Sequence, residues 1–413
     1  MKTAKPKPLG PIPAGYEAID GELAIGGRTA SDLVAEAGDT PLFVYSRDLI
    51  AATMQRLRAA MPERLGINYA IKANPHPDLL AFMRDLVDEY DIASAGELAI
   101  VQNVGIDPAM VSFAGPGKRD RELEAAIAAG VTLNLESGNE ARRALVIGDR
   151  LGTTPRLAIR VNPDFDMKGS GMKMGGGAKP FGIDAARVPA LARDIIAAGA
   201  DWRGLHIYTG SQALSAEAVI ETQANVLALA HAIATDIGGP LPKLNMGGGF
   251  GIPYFAGDAP LDIDAVGSAL KERFDALPDT LADTHLCIEL GRYLVGLAGV
   301  YLTRIVDRKD SHGETFLVTD GGLHHQLAAS GNFGTVVRRN YPVAIASRFA
   351  AEPEEVANVV GCLCTPLDRL AERAQLPVAQ VGDLVAVFCA GAYGATASPA
   401  QFLGQGPARE ILV

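Results

Sequence analysis

Eight short apolar runs, each followed by a stretch of helical periodicity, leave this 413-residue chain few architectures to choose from. The runs lie near residues 66–71, 89–93, 110–114, 131–135, 156–161, 203–209, 242–246 and 285–289. Helical stretches fall at 77–87, 96–102, 119–129, 138–147, 185–198, 213–235 and 263–276. Buried strands alternating with helices predict a (β/α)8 TIM barrel of α/β class, whose chemistry collects at the C-terminal ends of the strands.

The rhythm changes after residue 295. Runs at 299–306, 315–319, 356–360 and 383–388 read as strands separated by turns, which predicts a mainly-β domain. Residues 1–40 read as a leader with little periodicity, ahead of a strand at 40–45 and an amphipathic helix from about 46 to 61. The expected organisation is an N-terminal segment, 1–45, contributing to the β domain, a barrel over 46–292 and a C-terminal β domain over 293–413. With 37 basic and 48 acidic residues the chain carries a net charge of −11, which argues against nucleic-acid and anionic-membrane partners. No run approaches the ~20 apolar residues of a membrane span. The basic start, Lys2 to Lys7, is not followed by an apolar segment, so a cytoplasmic location is expected. The four cysteines are too few and too late in the chain for a disulfide framework, and Cys362 and Cys364 lack a second Cys or His pair at zinc spacing, so no metal is expected.

The strand ends carry the chemistry. Lys72 follows the first run, where an amine stripped of hydration can condense with an aldehyde; the plainer reading is a lysine capping an edge strand. Asp91 ends the second run. In the sixth, alternation points His206 and Tyr208 to one side. After the seventh come Gly247, Gly248 and Gly249, which let backbone N–H groups converge on an anion, although a glycine triplet is more often a plain turn. The eighth ends in Glu289, Gly291 and Arg292; Glu289 either faces a ligand or pairs with Arg292. A lysine for an aldehyde, a glycine nest and arginine for a phosphate, and an acid for a ring nitrogen together describe pyridoxal 5′-phosphate. An acid at that nitrogen strengthens the ring as an electron sink, which favours decarboxylation over racemisation.

These residues resemble the pyridoxal-phosphate decarboxylases of the alanine-racemase-like fold, the group of the diaminopimelate, ornithine and arginine decarboxylases. The likeness runs from about residue 40 to 413. Tyr69 to Asn74 is similar to that family's cofactor-lysine motif, which makes Lys72 the covalent anchor. Asp91 to Glu97 resembles its segment beside the cofactor, and Gly210-Ser211-Gln212 its G-S-Q, whose serine contacts phosphate. Glu289-Leu290-Gly291-Arg292 matches E-P-G-R with leucine for proline. Cys364 to Asp368 keeps the family's cysteine and aspartate spacing. The resemblance implies a homodimer with shared active sites, in which Cys364 reaches the neighbouring subunit and protonates the carbanion; the plain alternative for Cys364 is a small buried apolar residue. Gly391-Ala392-Tyr393 resembles the motif whose tyrosine touches phosphate.

Two departures bear on the substrate. Tyr208 stands where relatives carry a histidine that stacks on the cofactor ring, and an aromatic tyrosine can still stack. Thr365-Pro366-Leu367 replaces the Glu-Ser-Gly usual in diaminopimelate decarboxylases, whose glutamate holds the distal end of the substrate. Arg338 and Tyr341 belong to a differently spelled substrate loop, and Asp368 is a further substrate-side candidate. The spelling of residues 71–77, 321–334 and 364–368 looks most like the pyridoxal-dependent decarboxylases associated with exosortase A. By analogy with a related carrier-dependent decarboxylase, this implies a carrier-bound or otherwise modified amino acid. His324 and His325 read as turn residues with no assigned role. The rival readings are an amino-acid racemase on the same fold and a non-catalytic pyridoxal-phosphate-binding protein.

Overall fold

The computed structural model describes residues 5–169, 171–331 and 338–413. It separates into two compact units, one of Met54–Ile252 with Pro260–Gly291, the other of Met1–Thr53, Pro253–Ala259 and Arg292–Val413. Of the loop spelled Gly321 to Gly334, the last three residues lie outside the described residues.

The first unit is the expected barrel. Its strands are Gly66–Ala70, Glu89–Ile92, Val111–Phe113, Thr132–Leu135, Arg156–Asn162, Asp201–His206, Lys243–Gly248 and His285–Leu290. Each pairs in parallel with the next, and the eighth closes on the first with Glu289 opposite Asn68. Helix starts are written into the loops: Ser94, Ser137, Ser215 and Asp262 each accept a backbone N–H three residues on. Gly130, Gly152 and Gly238 stop their helices in the left-handed conformation.

A barrel interior is ordinarily filled by branched apolar side chains. Here every strand also contributes at least one buried polar residue: Asn68, Asp91, Ser112, Asn134, Arg160 with Asn162, His206, Asn245 and Glu289. Charges lie buried outside this ring as well. Lys118 Nζ sits 2.8 Å from Glu140 Oε1, each side chain only 2% exposed, and donates to the Gly115 and Asn134 carbonyls. Burial holds the Lys118 ammonium below its ordinary pKa.

In the second unit the sheet runs Val343–Ile345, Leu384–Val387, Gly299–Ser311, Glu314–Thr319, Glu355–Val360, Arg369–Leu376. Leu42–Tyr45 lies antiparallel to the start of Gly299–Ser311 and parallel to Arg409–Leu412. The strand Arg369–Leu376 escaped the sequence reading because Arg, Ala, Glu, Gln and Leu are helix formers; antiparallel pairing with Glu355–Val360 overrides that preference. The leader reading of residues 1–40 is also corrected. Glu17–Ile19, Glu22–Ile25 and Arg28–Thr29 form a three-stranded meander, followed by a helix, Ala30–Ala37, capped by Thr29 and Gly38. Asp20-Gly21 and Gly26-Gly27 turn its corners with positive φ at both positions of each pair, a legible two-residue hairpin signal.

Among the described residues no helix is long and apolar enough to cross a membrane. Lys118→Met should lower unfolding stability by about 3 kcal/mol in urea titration, because Glu140 is left buried without its cation. Lys118→Met with Glu140→Leu should recover most of that loss; a double variant no better than the single one would show that packing, not charge, is what Lys118 supplies.

Candidate active site

The loops at the C-terminal ends of the barrel strands surround a cavity of about 270 Å³. Lys72, Asp91, Arg160, His206, Tyr208 and Glu289 face it, with Met174 and Phe181 on its apolar side. Four of these are sequence-predicted site residues: Lys72, Asp91, Tyr208 and Glu289. Lys72 occupies a 3-10 turn, Ile71–Ala73, directly after the first strand. Its side chain is exposed, which corrects the expectation that burial strips its hydration. Its Nζ lies 5.4 Å from the centre of the Tyr208 ring.

Glu289 is buried at the end of the eighth strand, where Oε2 accepts from His206 Nε2 (2.8 Å) and Asn245 Nδ2 (3.1 Å). These, not Arg292, are its partners. Burial alone would push the carboxyl up, but His206, Lys72 and Arg160 outweigh it and hold Glu289 well below the ordinary carboxylate range. Asp91 goes the other way. Burial and repulsion from Glu289 raise it, and Ser112, Lys72 and Asn68 offset only part of that rise. Asp91 Oδ1 accepts from Ser112 Oγ, which in turn accepts from Asn134 Nδ2 (3.1 Å). One ionised acid and one that holds its proton thus share the cavity.

The glycine run that ends strand seven is dictated by backbone crowding. A Cβ on Gly248 would collide with the Glu289 carbonyl, and one on Gly249, at φ +72°, with the Gly210 carbonyl. Gly247 donates its N–H to Asn245 Oδ1 (2.9 Å), so that donor is already engaged. Asn245 therefore fixes both the acid and the start of the loop. Ser211 is buried, in the short strand Gly210–Ser211. Gly291 packs on the turn that carries Lys72, where a Cβ would come 2.8 Å from Ala73 Cβ.

The remaining candidates belong to the β unit. Arg292 Nη1 donates to the Tyr254 hydroxyl (2.6 Å), and its guanidinium lies over the rings of Tyr254 (5.5 Å) and Tyr393 (4.7 Å). Its Nε has no hydrogen-bond partner among the described residues. Cys364 is exposed, which sets aside the buried-apolar alternative. The three substrate-side candidates each have partners within the fold. Asp368 is buried and accepts from the Leu323 (2.7 Å) and Leu363 (2.9 Å) N–H groups, tying two loops together. Tyr341 is buried against Tyr254 and Phe255, ring centres 4.8 and 5.4 Å apart. Arg338 donates to the carbonyls of Leu367 and Arg369 and so braces the cysteine loop. His324 and His325 lie in a turn, as read, and are buried; His325 bonds Tyr301 and the Gly406 carbonyl.

Sequence reasoning missed Arg160, Asn245, Ser112 and Asn134, and noticed His206 without giving it a role. Arg160 donates to Glu136 Oε1 (2.8 Å), which also takes the Gly115 N–H (2.8 Å). The available signal was the presence of at least one polar residue in each of the apolar runs.

The donor set suits pyridoxal 5′-phosphate: an amine, an ionised acid and an aromatic ring face one cavity. Two buried polar atoms of that cavity's residues, His206 Nδ1 and Asp91 Oδ2, lack partners among the described residues.

Residues 47–296 match the family described as the pyridoxal binding domain of pyridoxal-dependent decarboxylases. The chain is 35% identical over 380 residues to the L-glutamyl-[BtrI acyl-carrier protein] decarboxylase of Niallia circulans, covering 91% of this chain and 89% of that one. It is 34% identical over 404 residues to the diaminopimelate decarboxylase of Archaeoglobus fulgidus, covering 96% and 93%. A crystal structure of the diaminopimelate decarboxylase of M. jannaschii with L-lysine superposes with a TM-score of 0.84 at 25% identity, over 97% of this chain and 93% of that one.

The two acids set a pH signature. Folded Asp91 binds its proton more tightly than in the unfolded chain. Its contribution to stability therefore grows as pH falls toward the ordinary carboxylate value of about 4, and is lost as pH rises through its raised folded value. Asp91→Asn should flatten the pH dependence of the urea midpoint of cofactor-free protein between about pH 5 and 8. An unchanged slope would place the shared proton elsewhere.

Proposed function

That this chain belongs to the pyridoxal-dependent decarboxylases is the premise from which we propose its particular reaction: decarboxylation of an α-amino acid presented on a carrier protein or otherwise modified at its distal end. The observation that carries the reaction class is the buried Glu289 carboxylate, kept ionised by His206 and Asn245 in the cavity that Lys72 faces. Bound there, pyridoxal 5′-phosphate supplies the electron sink that takes up the carbanion left by carbon dioxide.

Each protein group then has a task. Lys72 is the residue whose amine would hold the cofactor through its aldehyde. Glu289 holds a proton on the ring nitrogen, and His206 and Asn245 keep its carboxylate aimed and charged. Asp91 is the acid that retains its proton, and Tyr208 supports the ring face. Within the barrel unit, Ser211, Gly248, Gly249 and Gly291 would receive the phosphate. The Cys364 thiol returns a proton to the α-carbon. Its exposure, with Leu367 55% exposed beside it, supports a donor delivered to the site of a second subunit in a homodimer.

The substrate assignment rests on the cysteine loop. Thr365, Pro366 and Leu367 offer no charge, Asp368 is spent on two backbone N–H groups, and Arg338 on two carbonyls. A free distal ammonium or carboxylate finds no partner in that loop, and an unpaired buried charge costs a few kcal/mol. A distal end already capped by a linkage avoids this penalty. The named relative that acts on a glutamyl group of an acyl-carrier protein supports the same direction.

A panel of free and carrier-linked amino acids scored for carbon dioxide release tests the proposal. Release from carrier-linked glutamate in excess of that from diaminopimelate is expected; efficient turnover of free diaminopimelate would overturn the substrate assignment. Lys72→Ala should abolish turnover and the visible absorbance of the covalently held cofactor, and retained absorbance would contradict its role. Cys364→Ser should lower kcat by about 100-fold with the cofactor still bound; unchanged kcat would remove it as the proton donor.

A further inference from the structure

The loop after the sixth barrel strand turns through Gln212, at φ +62°, a left-handed conformation that residues other than glycine take up rarely. Its amide grips a single residue of the loop after strand seven. Nε2 donates to the Ile252 carbonyl (2.6 Å) and Oε1 accepts from the Ile252 N–H (3.2 Å). Backbone bonds continue the seam: Ala213 N–H donates to the Gly249 carbonyl (3.0 Å) and Gly251 N–H to the Ala213 carbonyl (2.8 Å). On its other side Gln212 packs against the loop after strand five, where a Cβ on Gly171 would come 3.2 Å from Gln212 Cβ. That loop's Met172 pairs with Ser211.

One side chain thus joins three loops, immediately after Ser211 and three residues beyond Gly249. We propose that Gln212 is a positioning residue that locks the Ser211 turn to the glycine loop at the separation the cofactor's phosphate requires. The inference rests on the reading of those two loops as the phosphate site. An amide is suited to the task. It offers a donor and an acceptor to the N–H and carbonyl of one residue without adding charge beside an anion, whereas a carboxylate there would repel the phosphate and lose the bond to the Ile252 carbonyl.

The full-length protein, freed of cofactor with hydroxylamine, is titrated with pyridoxal 5′-phosphate and with pyridoxal, which has no phosphate. Gln212→Met keeps the length of the side chain and removes both bonds. Gln212→Gly removes them as well but is at ease at φ +62°. Both variants should bind pyridoxal 5′-phosphate about tenfold more weakly, with pyridoxal affinity held within about twofold. Full affinity for the phosphate form in either variant, or an equal loss for pyridoxal, overturns the proposal. Wild-type protein that binds the two compounds equally would remove the phosphate site itself, and the inference with it.

Discussion

The hydrogen bond between His206 and Glu289 is the constraint on which the site depends. A carboxyl group this deep in a barrel would ordinarily take up a proton, since burial disfavours its charge. The imidazole, with Lys72 and Arg160, makes the ionised form the stable one, while burial and repulsion from that charge raise Asp91. A buried carboxylate rarely stabilises a fold as well as apolar packing of the same volume. Such a charge among buried polar residues, at least one from each strand, is a cost borne by the other layers of the barrel.

Backbone crowding does the rest of the construction. The glycine loop can approach the Glu289 and Gly210 carbonyls only because it has no side chains, and Asn245 ties its first N–H to the same group that holds the acid. The glycine loop and the acid are therefore not independent parts: a shift in one is transmitted through a single amide. In the β unit, Asp368 and Arg338 give their charges to backbone groups, which stiffens the loop bearing Cys364 and leaves that loop chemically bland.

The barrel was legible because its strands are short, apolar and regularly spaced, and because serine, aspartate and glycine mark the helix ends. Lys72, Asp91, Tyr208 and Glu289 were legible because chemistry in such a barrel sits where strands end. Arg160, Asn134 and Asn245 were not, since a lone polar residue in an apolar run says nothing of its direction until the barrel closes. The engagement of the substrate-side candidates was hidden for a related reason. Asp368 and Tyr341 have the right residue types, but only the fold shows that their polar atoms and rings are already engaged. Arg369–Leu376 reads as helix locally and becomes a strand through a neighbour that no local pattern reveals.

The sheet of the β unit carries a consequence for biosynthesis. Leu42–Tyr45 is held between the strand that starts at Gly299 and the one at Arg409–Leu412. On the ribosome this early segment emerges with both its neighbours still unmade, while all eight barrel strands appear before either of them. The barrel can therefore assemble during translation, but the β sheet cannot close until residues 409–412 have left the exit tunnel, and an apolar Leu-Phe-Val-Tyr edge waits unprotected until then.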